Sequence, residues 1–327
     1  MYDLVTLGEM MLCLSSPKHI RLRQTGLLNI RACGAQFNIA ANLASLGKNS
    51  AFLTALPNND MGLLAKSIGA SVGVDMSYIK IKEVGRMGLI FLEHGAEPRK
   101  SIHIYDRQNS TASTITSDDF VWEEILNKTT LAYFDGIFPA LNDGCKEASI
   151  TFMETAKSLG RKVCFDVNYR ESLWDKKDAA TFYRKILPGV NILVTNRFIS
   201  ENLFNITGTD KDLLLAYKSE FGCDIVCLTY RTNPGTSRGG WNSLALFGND
   251  IRHGREFHYE IVDRFGTGDA FFAGFLYGFL EGDIQYALDF GNALCALAHT
   301  IDGDQALFSA EEVNSLLAEE YSFVIKR

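Results

Sequence analysis

The sequence has no basic cluster. Its 32 Lys and Arg are outnumbered by 39 Asp and Glu, giving a formal charge of −7 over 327 residues. Such a chain is poorly made to hold a nucleic acid backbone by counterion release, so nucleic acid is excluded as the expected partner. Long hydrophobic runs are also missing. The longest nearly apolar stretch, residues 270–280, falls well short of the roughly 20 residues that span a bilayer, so no membrane partner is expected. MYDLVTLGEMMLCL at the start lacks a basic n-region and carries Asp3 and Glu9, unlike a secretory signal. With few prolines, no Pro- or Gly-rich linker and no repeat of 20–50 residues, nothing divides residues 1–327 into separate units. The cysteines (13, 33, 145, 164, 223, 227 and 295) are odd in number and dispersed, mostly in apolar segments. That pattern predicts reduced, buried thiols in a cytoplasmic protein. Cys223 and Cys227 have no second Cys or His pair to complete a zinc site. A G-x-x-x-x-G-K-[ST] phosphate loop is absent too.

What is present is an ordinary globular composition, 46% hydrophobic and 22% charged, on a chain long enough to bury a sizeable core. Short β-branched or aromatic runs predict strands at 4–7, 50–55, 131–135, 162–167, 192–195 and 225–228. Longer amphipathic stretches predict helices at 35–46, 61–68, 145–159, 177–186 and 210–221. This alternation reads as βαβ units around a parallel sheet in two or three layers. Two segments, about 12–33 and 86–109, break it. The second holds strand-like runs at 89–93 and 101–105 around a Gly95–Pro98 turn region. Both read as antiparallel ribbons forming a lid beside the strand ends, where open α/β sheets bind ligands. Surface hairpins without function are the plain alternative.

The segment richest in chemistry is IVDRFGTGDAFFAGFLYG, residues 261–278. Gly266, Thr267 and Gly268 open directly into an apolar helix, so crowded backbone N–H groups and the helix dipole suit an anion. Asp269 in that first turn is either a catalytic carboxylate or simply an acid that stabilises the helix start. No third glycine follows, so this is not a dinucleotide fingerprint.

GTGDAF after VDR, with a glycine-led helix starting near residue 34, resembles the ribokinase-like (PfkB) sugar kinases from end to end. LGEMML (7–12), CGAQFNIAANLASLG (33–47) and LPNNDMG (56–62) resemble further family stretches. IYDRQNSTAS (104–113), FDGIFPAL (134–141), DVNYRESLW (166–174) and HTIDGD (299–304) resemble the 2-keto-3-deoxygluconate kinases within it. The resemblance implies a three-layer α/β core with a small β-sheet lid, magnesium–ATP as donor, and a dimer formed through the lid. It implies that Asp269 is the general base and that Gly266, Thr267 and Gly268 form the anion hole, a division suited to phosphoryl transfer. Gly34, Asn38, Tyr105 and Asp304 would meet the sugar, and Arg107 and Arg170 would hold a sugar carboxylate, which guanidinium fits in a bidentate way. Asn168, Thr229, Arg231 and Asn292 would face ATP, and Arg170 is an alternative phosphate contact.

The chain departs from the family at Cys33, Gln36 and Ile90, where a glycine, a glutamate and a tyrosine are usual. In the N-x-x-E region, Asn196 is followed by Ile199, with glutamate only at 201, and magnesium ligands are left unassigned. A monovalent cation site near Asp263 is implied, with Phe265 replacing a polar ligand position. The expected substrate is 2-keto-3-deoxygluconate, phosphorylated on its terminal hydroxyl. Fructose or another neutral sugar is the alternative within the class, and a non-catalytic sugar-binding regulator the alternative outside it.

Overall fold

Strand and helix alternate much as the apolar periodicity requires. Residues 1–96, 98–233, 235 and 237–318 are described by a computed structural model. The chain opens with β1 (Tyr2–Leu7), β2 (Met11–Ser15), β3 (Asn29–Cys33), α1 (Ala35–Ser45), β4 (Ser50–Leu53) and β5 (Ala55–Pro57). Next come α2 (Asp60–Ser71), β6 (Lys80–Lys82), β7 (Gly88–Glu93), β8 (Ile102–Asp106) and the short α3 (Trp122–Leu126). The middle holds β9 (Thr129–Asp135), α4 (Asp143–Ser158), β10 (Lys162–Asp166), α5 (Lys176–Ile186), β11 (Ile192–Thr195), α6 (Arg197–Phe204), α7 (Asp210–Phe221) and β12 (Ile225–Thr232). Last are β13 (Arg238–Phe247), β14 (Asp250–His253), β15 (Phe257–Glu260), α8 (Thr267–Leu280), α9 (Ile284–Ala298) and α10 (Ala310–Leu317).

The main sheet runs β14-β13-β12-β11-β10-β9-β1-β4, with β15 beside β13. β9, β10 and β11 are continuous apolar runs because helices cover both faces. One apolar layer joins the sheet to α4, α5 and α7; the other joins it to α1, α8, α9 and α10. α8 and α9 pack closely through small residues. A Cβ at Gly274 would stand 2.9 Å from the Gly291 Cα, and one at Gly278 2.5 Å from the Ala287 Cα.

The sheet is not wholly parallel, as the sequence reading expects. β12, β14 and β15 all pair antiparallel with β13. The connection from Thr232 to Arg238 is far shorter than the dozen or so residues a parallel crossover needs. The strand expected over 50–55 also divides: β4 joins the main sheet, whereas β5 pairs with β6.

A separate four-stranded sheet, ordered β3-β2-β7-β8, is built from the two segments that break the alternation. Each ribbon is antiparallel, and the two are joined by a parallel β2–β7 pairing. Met11, Cys13, Cys33, Ile90 and Leu92 form its small apolar underside, against which Phe265 packs. Among the described residues, no helix is long and apolar enough to cross a membrane.

Candidate active site

The order of the main sheet reverses at β1, since the chain first adds β4 on one side and later β9 on the other. A ligand crevice is expected outside the carboxyl ends of strands at such a switch point. A cavity of about 1170 Å³ lies there, between the strand ends and the four-stranded lid. Its lining includes Gly34, Asn38, Tyr105, Arg107, Asn168, Arg170, Thr229, Arg231, Gly266, Thr267, Gly268, Asp269 and Asp304. Those expected site residues, from six separate parts of the chain, meet in one place.

Helix capping differs at two of the helices that meet here. Asn59, Asn142, Asp175, Asn196, Thr209, Asp283 and Ser309 cap their helices with a side-chain oxygen. α1 and α8 instead begin at Gly34 and Gly266, with no side-chain cap, and both open on the cavity. The first-turn N–H groups of α8 are therefore left for a ligand. Gly266 is in the left-handed region (φ +63°), and a Cβ there would collide with the Asp304 carbonyl oxygen. Gly268 is different: its φ is ordinary and a Cβ would meet nothing within 4 Å. The packing around it does not require glycine at 268.

Asp166, Asp269 and Asp304 line the core side of the cavity, with Asp135 buried behind them. Asp135 and Asp166 end neighbouring strands and are paired in register. Asp135 accepts hydrogen bonds from the Ile137 N–H (2.8 Å), Asn168 Nδ2 (3.1 Å) and Gln36 Nε2. Glutamate at position 36 would face that carboxylate, which gives Gln36 a local reason. Burial pushes Asp135 up to about 6 despite these donors. Burial likewise lifts Asp166, Asp269 and Asp304 each to about 7, with neighbouring carboxylates adding to the effect. On Asp269 it is opposed by Asn38, whose Nδ2 donates to Oδ2 at 2.7 Å, and by the Arg170 charge. A carboxyl poised near neutrality is suited to general base work.

The lid side is charged differently. Arg107 donates to Glu9, and Ser110 Oγ donates to the same carboxylate at 2.5 Å. The Arg107 and Glu9 side chains are only 11% and 1% exposed, so this is a buried pair. Among the described residues the Arg107 Nε has no partner, and neither do Thr195 Oγ1 and Trp241 Nε1, all on residues that line the cavity. Orphaned buried polar atoms of this kind fit a polar ligand. Arg170 makes no ion pair among the described residues, but its charge reaches Tyr105 as well as the acids.

One expectation needs correction. Asn292 does not line the cavity. It is fully buried, donating to the Arg255 carbonyl (2.9 Å) and accepting from Ser243 Oγ (2.7 Å), so it ties α9 to β13 and the turn before β15. Glu201, to which no role was given, pairs with Arg197 at 3.0 Å on the surface. Asn196 lines the cavity and caps α6 through the Ile199 N–H. Asp263 accepts from the Arg264 (2.7 Å) and Gly303 (3.2 Å) N–H groups, and His94 of the lid lies 3.9 Å from it. Cys223 and Cys227 are buried, free thiols.

Glu9 and Asp166 line the cavity, and Asp135 and Gln305 stand behind it on Gln36, Asn168 and Asn38, but none of the four carries a role in the sequence reading. For Asp135 and Asp166 the signal was available: each is an acid at the carboxyl end of a predicted strand. Glu9 and Gln305 gave none.

Residues 1–310 match the model of the pfkB family of carbohydrate kinases. The 2-dehydro-3-deoxygalactonokinase of Haloferax volcanii is 31% identical over 316 residues, covering 96% of each chain. The 5-dehydro-2-deoxygluconokinase of Clostridium perfringens is 28% identical over 337 residues, covering 100% of this chain and 96% of its own. The crystal structure of 2-dehydro-3-deoxygluconokinase from Thermotoga maritima superposes with a TM-score of 0.92. It is 32% identical, over 96% of this chain and 98% of that one.

Proposed function

The chain belongs to the pfkB family of carbohydrate kinases, and from that premise we propose that it transfers the γ-phosphoryl group of magnesium–ATP to the terminal hydroxyl of 2-keto-3-deoxygluconate. It is a phosphotransferase with an alcohol group as acceptor. The observation that carries the proposal is the uncapped start of α8 with Asp269 in its first turn, facing a lid that carries Arg107.

Asp269 takes the proton of the sugar hydroxyl as its oxygen forms the new bond to phosphorus and the bond to the ADP oxygen breaks. The N–H groups of Gly266, Thr267 and Gly268 hold the oxygens of the moving phosphoryl group, which needs positioning and charge neutralisation above all. Magnesium arrives on the nucleotide and supplies part of that neutralisation. Asn168, Thr229 and Arg231 line the donor end. Gly34, Asn38, Tyr105 and Asp304 line the sugar end, and Arg107 and Arg170 meet the carboxylate. Three relatives named for dehydro-deoxy sugar acids support an acidic substrate. The Haloferax relative favours one second reading, the galacto-configured acid.

The test is ADP formation from ATP with both acids, fructose and no sugar. Turnover highest with a dehydro-deoxy acid supports the proposal. A preference for fructose sinks the carboxylate reading, and no turnover with any sugar leaves a sugar-binding regulator. Seven free, buried cysteines support a reducing, cytoplasmic setting. Exposed Ile30, Ile102 and Ile104 on the outer face of the lid support a homodimer formed there.

A further inference from the structure

Resting on Asp269 as the base, a second residue emerges from the polarity of one hydrogen-bond chain. Gln305 lies in the segment after α9, held against α1 by the bond from the Ala306 N–H to Asn42 Oδ1 (2.7 Å). Its Nε2 donates to the Ala32 carbonyl at 2.9 Å and to Asn38 Oδ1 at 2.6 Å. Asn38 Nδ2 in turn donates to Asp269 Oδ2 at 2.7 Å, and Asn38 is only 2% exposed.

The direction of this chain is not free. A backbone carbonyl can only accept, so the Gln305 group that faces Ala32 is its NH₂. An amide NH₂ has two hydrogens, and the second meets Asn38. Asn38 must then present its oxygen to Gln305 and its NH₂ to Asp269. Rotating the Asn38 amide by half a turn would set an oxygen against the carboxylate and an NH₂ against the Gln305 NH₂. The Ala32 carbonyl, on lid strand β3, thus sets the orientation of every member up to Asp269.

We propose that Gln305 is a positioning residue for phosphoryl transfer, locking the Asn38 amide so that an N–H always points at the Asp269 carboxylate. A donor held on the ionised form favours that form over the protonated one. Burial acts on Asp269 in the opposite sense, as does Asp135, while Arg170 assists Asn38. Asp166 and Asp304 also face it, as does the buried Tyr133 hydroxyl. None of these groups changes when Gln305 is replaced, so the effect of the lock can be read alone.

The experiment is the pH profile of kcat at saturating ATP and sugar for the parent and Gln305→Met, with Asp269→Asn alongside. Methionine keeps the length of the side chain but has no donor. The acid limb of Gln305→Met should move alkaline by about one pH unit, the usual worth of a donor to a charged group. KM for ATP should stay unchanged, and kcat well above the limb should recover to near the parent value. Damage to packing alone would lower kcat at every pH without moving the limb. An acid limb within 0.2 pH units of the parent, an experimental threshold of roughly that size, overturns the proposal. If Gln305→Met does not fold, Gln305→Leu is judged by the same limb, since it too lacks a donor and adds no charge beside Asp269. Asp269→Asn separates the two failures: its full activity would remove the base itself, whereas its inactivity with an unmoved Gln305→Met limb removes only the lock.

Discussion

The two walls of the cavity hold charge in opposite ways. On the lid side, Arg107 and Glu9 neutralise each other, with Ser110 completing the carboxylate's shell. On the core side, Asp135, Asp166, Asp269 and Asp304 stand together with Arg170 as the nearby cation, and burial raises all four. The lid wall is electrically settled before any ligand arrives. The core wall is not, and the cost of ionising it holds the Asp269 carboxyl near neutrality. The two walls thus hold charged residues in different physical states.

Removing the base is the strongest way to break that contrast. Asp269→Asn is nearly isosteric and should cut turnover by roughly 10²–10⁴-fold with the fold intact. A steady-state kcat within about threefold of the parent would take Asp269 out of the base role. Next in size is the lid wall. Arg107→Met should lower kcat/KM for the sugar acid by about 10–100-fold, in line with one charge-assisted hydrogen bond, while sparing KM for ATP. The single change also leaves Glu9 buried without its partner, a loss of about 3–5 kcal/mol by analogy with other buried pairs. Glu9→Gln with Arg107→Met is therefore the cleaner variant. Equal losses on acidic and neutral sugars would mean that Arg107 does not read the carboxylate.

A third prediction sharpens the comparison through pH. Each core-wall acid has a folded pKa above its ordinary value, so its contribution to stability is present at low pH and is lost as pH rises through 6–7. The melting temperature of the ligand-free protein should fall between pH 5.5 and 8.5, and Asp269→Asn should flatten part of that slope. A rising or level curve in calorimetry would show that the four acids are not held as described. The smallest effect on catalysis belongs to the lid's outer face. Ile104→Lys should halve the mass seen by light scattering while leaving kcat within roughly threefold, as for most surface changes. A mass that does not change would place any dimer elsewhere.

How much of this was legible in the sequence depended on how local the cause was. α7 could be read almost to the residue, because Thr209 and Asp212 form a capping box and Gly222 ends it in the left-handed region. β13 could not. Gly239 and Gly240 look like loop residues, yet they sit in a strand where the Tyr259 ring and the Thr232 side chain come too close for a larger residue. In the site, Asp269 was marked by its own neighbours in sequence. The Glu9–Arg107 pair joins residues 98 positions apart, and Gln305 meets Asn38 across 267, so neither left a local trace. The two glycines at the start of α8 read alike in sequence, but only Gly266 carries a positive φ and a close backbone contact, whereas the space beside Gly268 is open.

The position of β1 in the sheet has a consequence for the order of events during synthesis. β1 is an inner strand, second from one edge: β4 follows it closely, but its other neighbour is β9, with Tyr2 opposite Thr129. The lid waits as well, since β2 must find β7 with Met11 opposite Gly88. A nascent chain therefore carries an unpaired inner strand edge on β1 until β9 has been made. Pairings so distant in sequence are slow to form and leave edges open to aggregation in the meantime. The same arrangement that places a ligand crevice beside β1 commits the protein to a long interval in which that strand has only one partner.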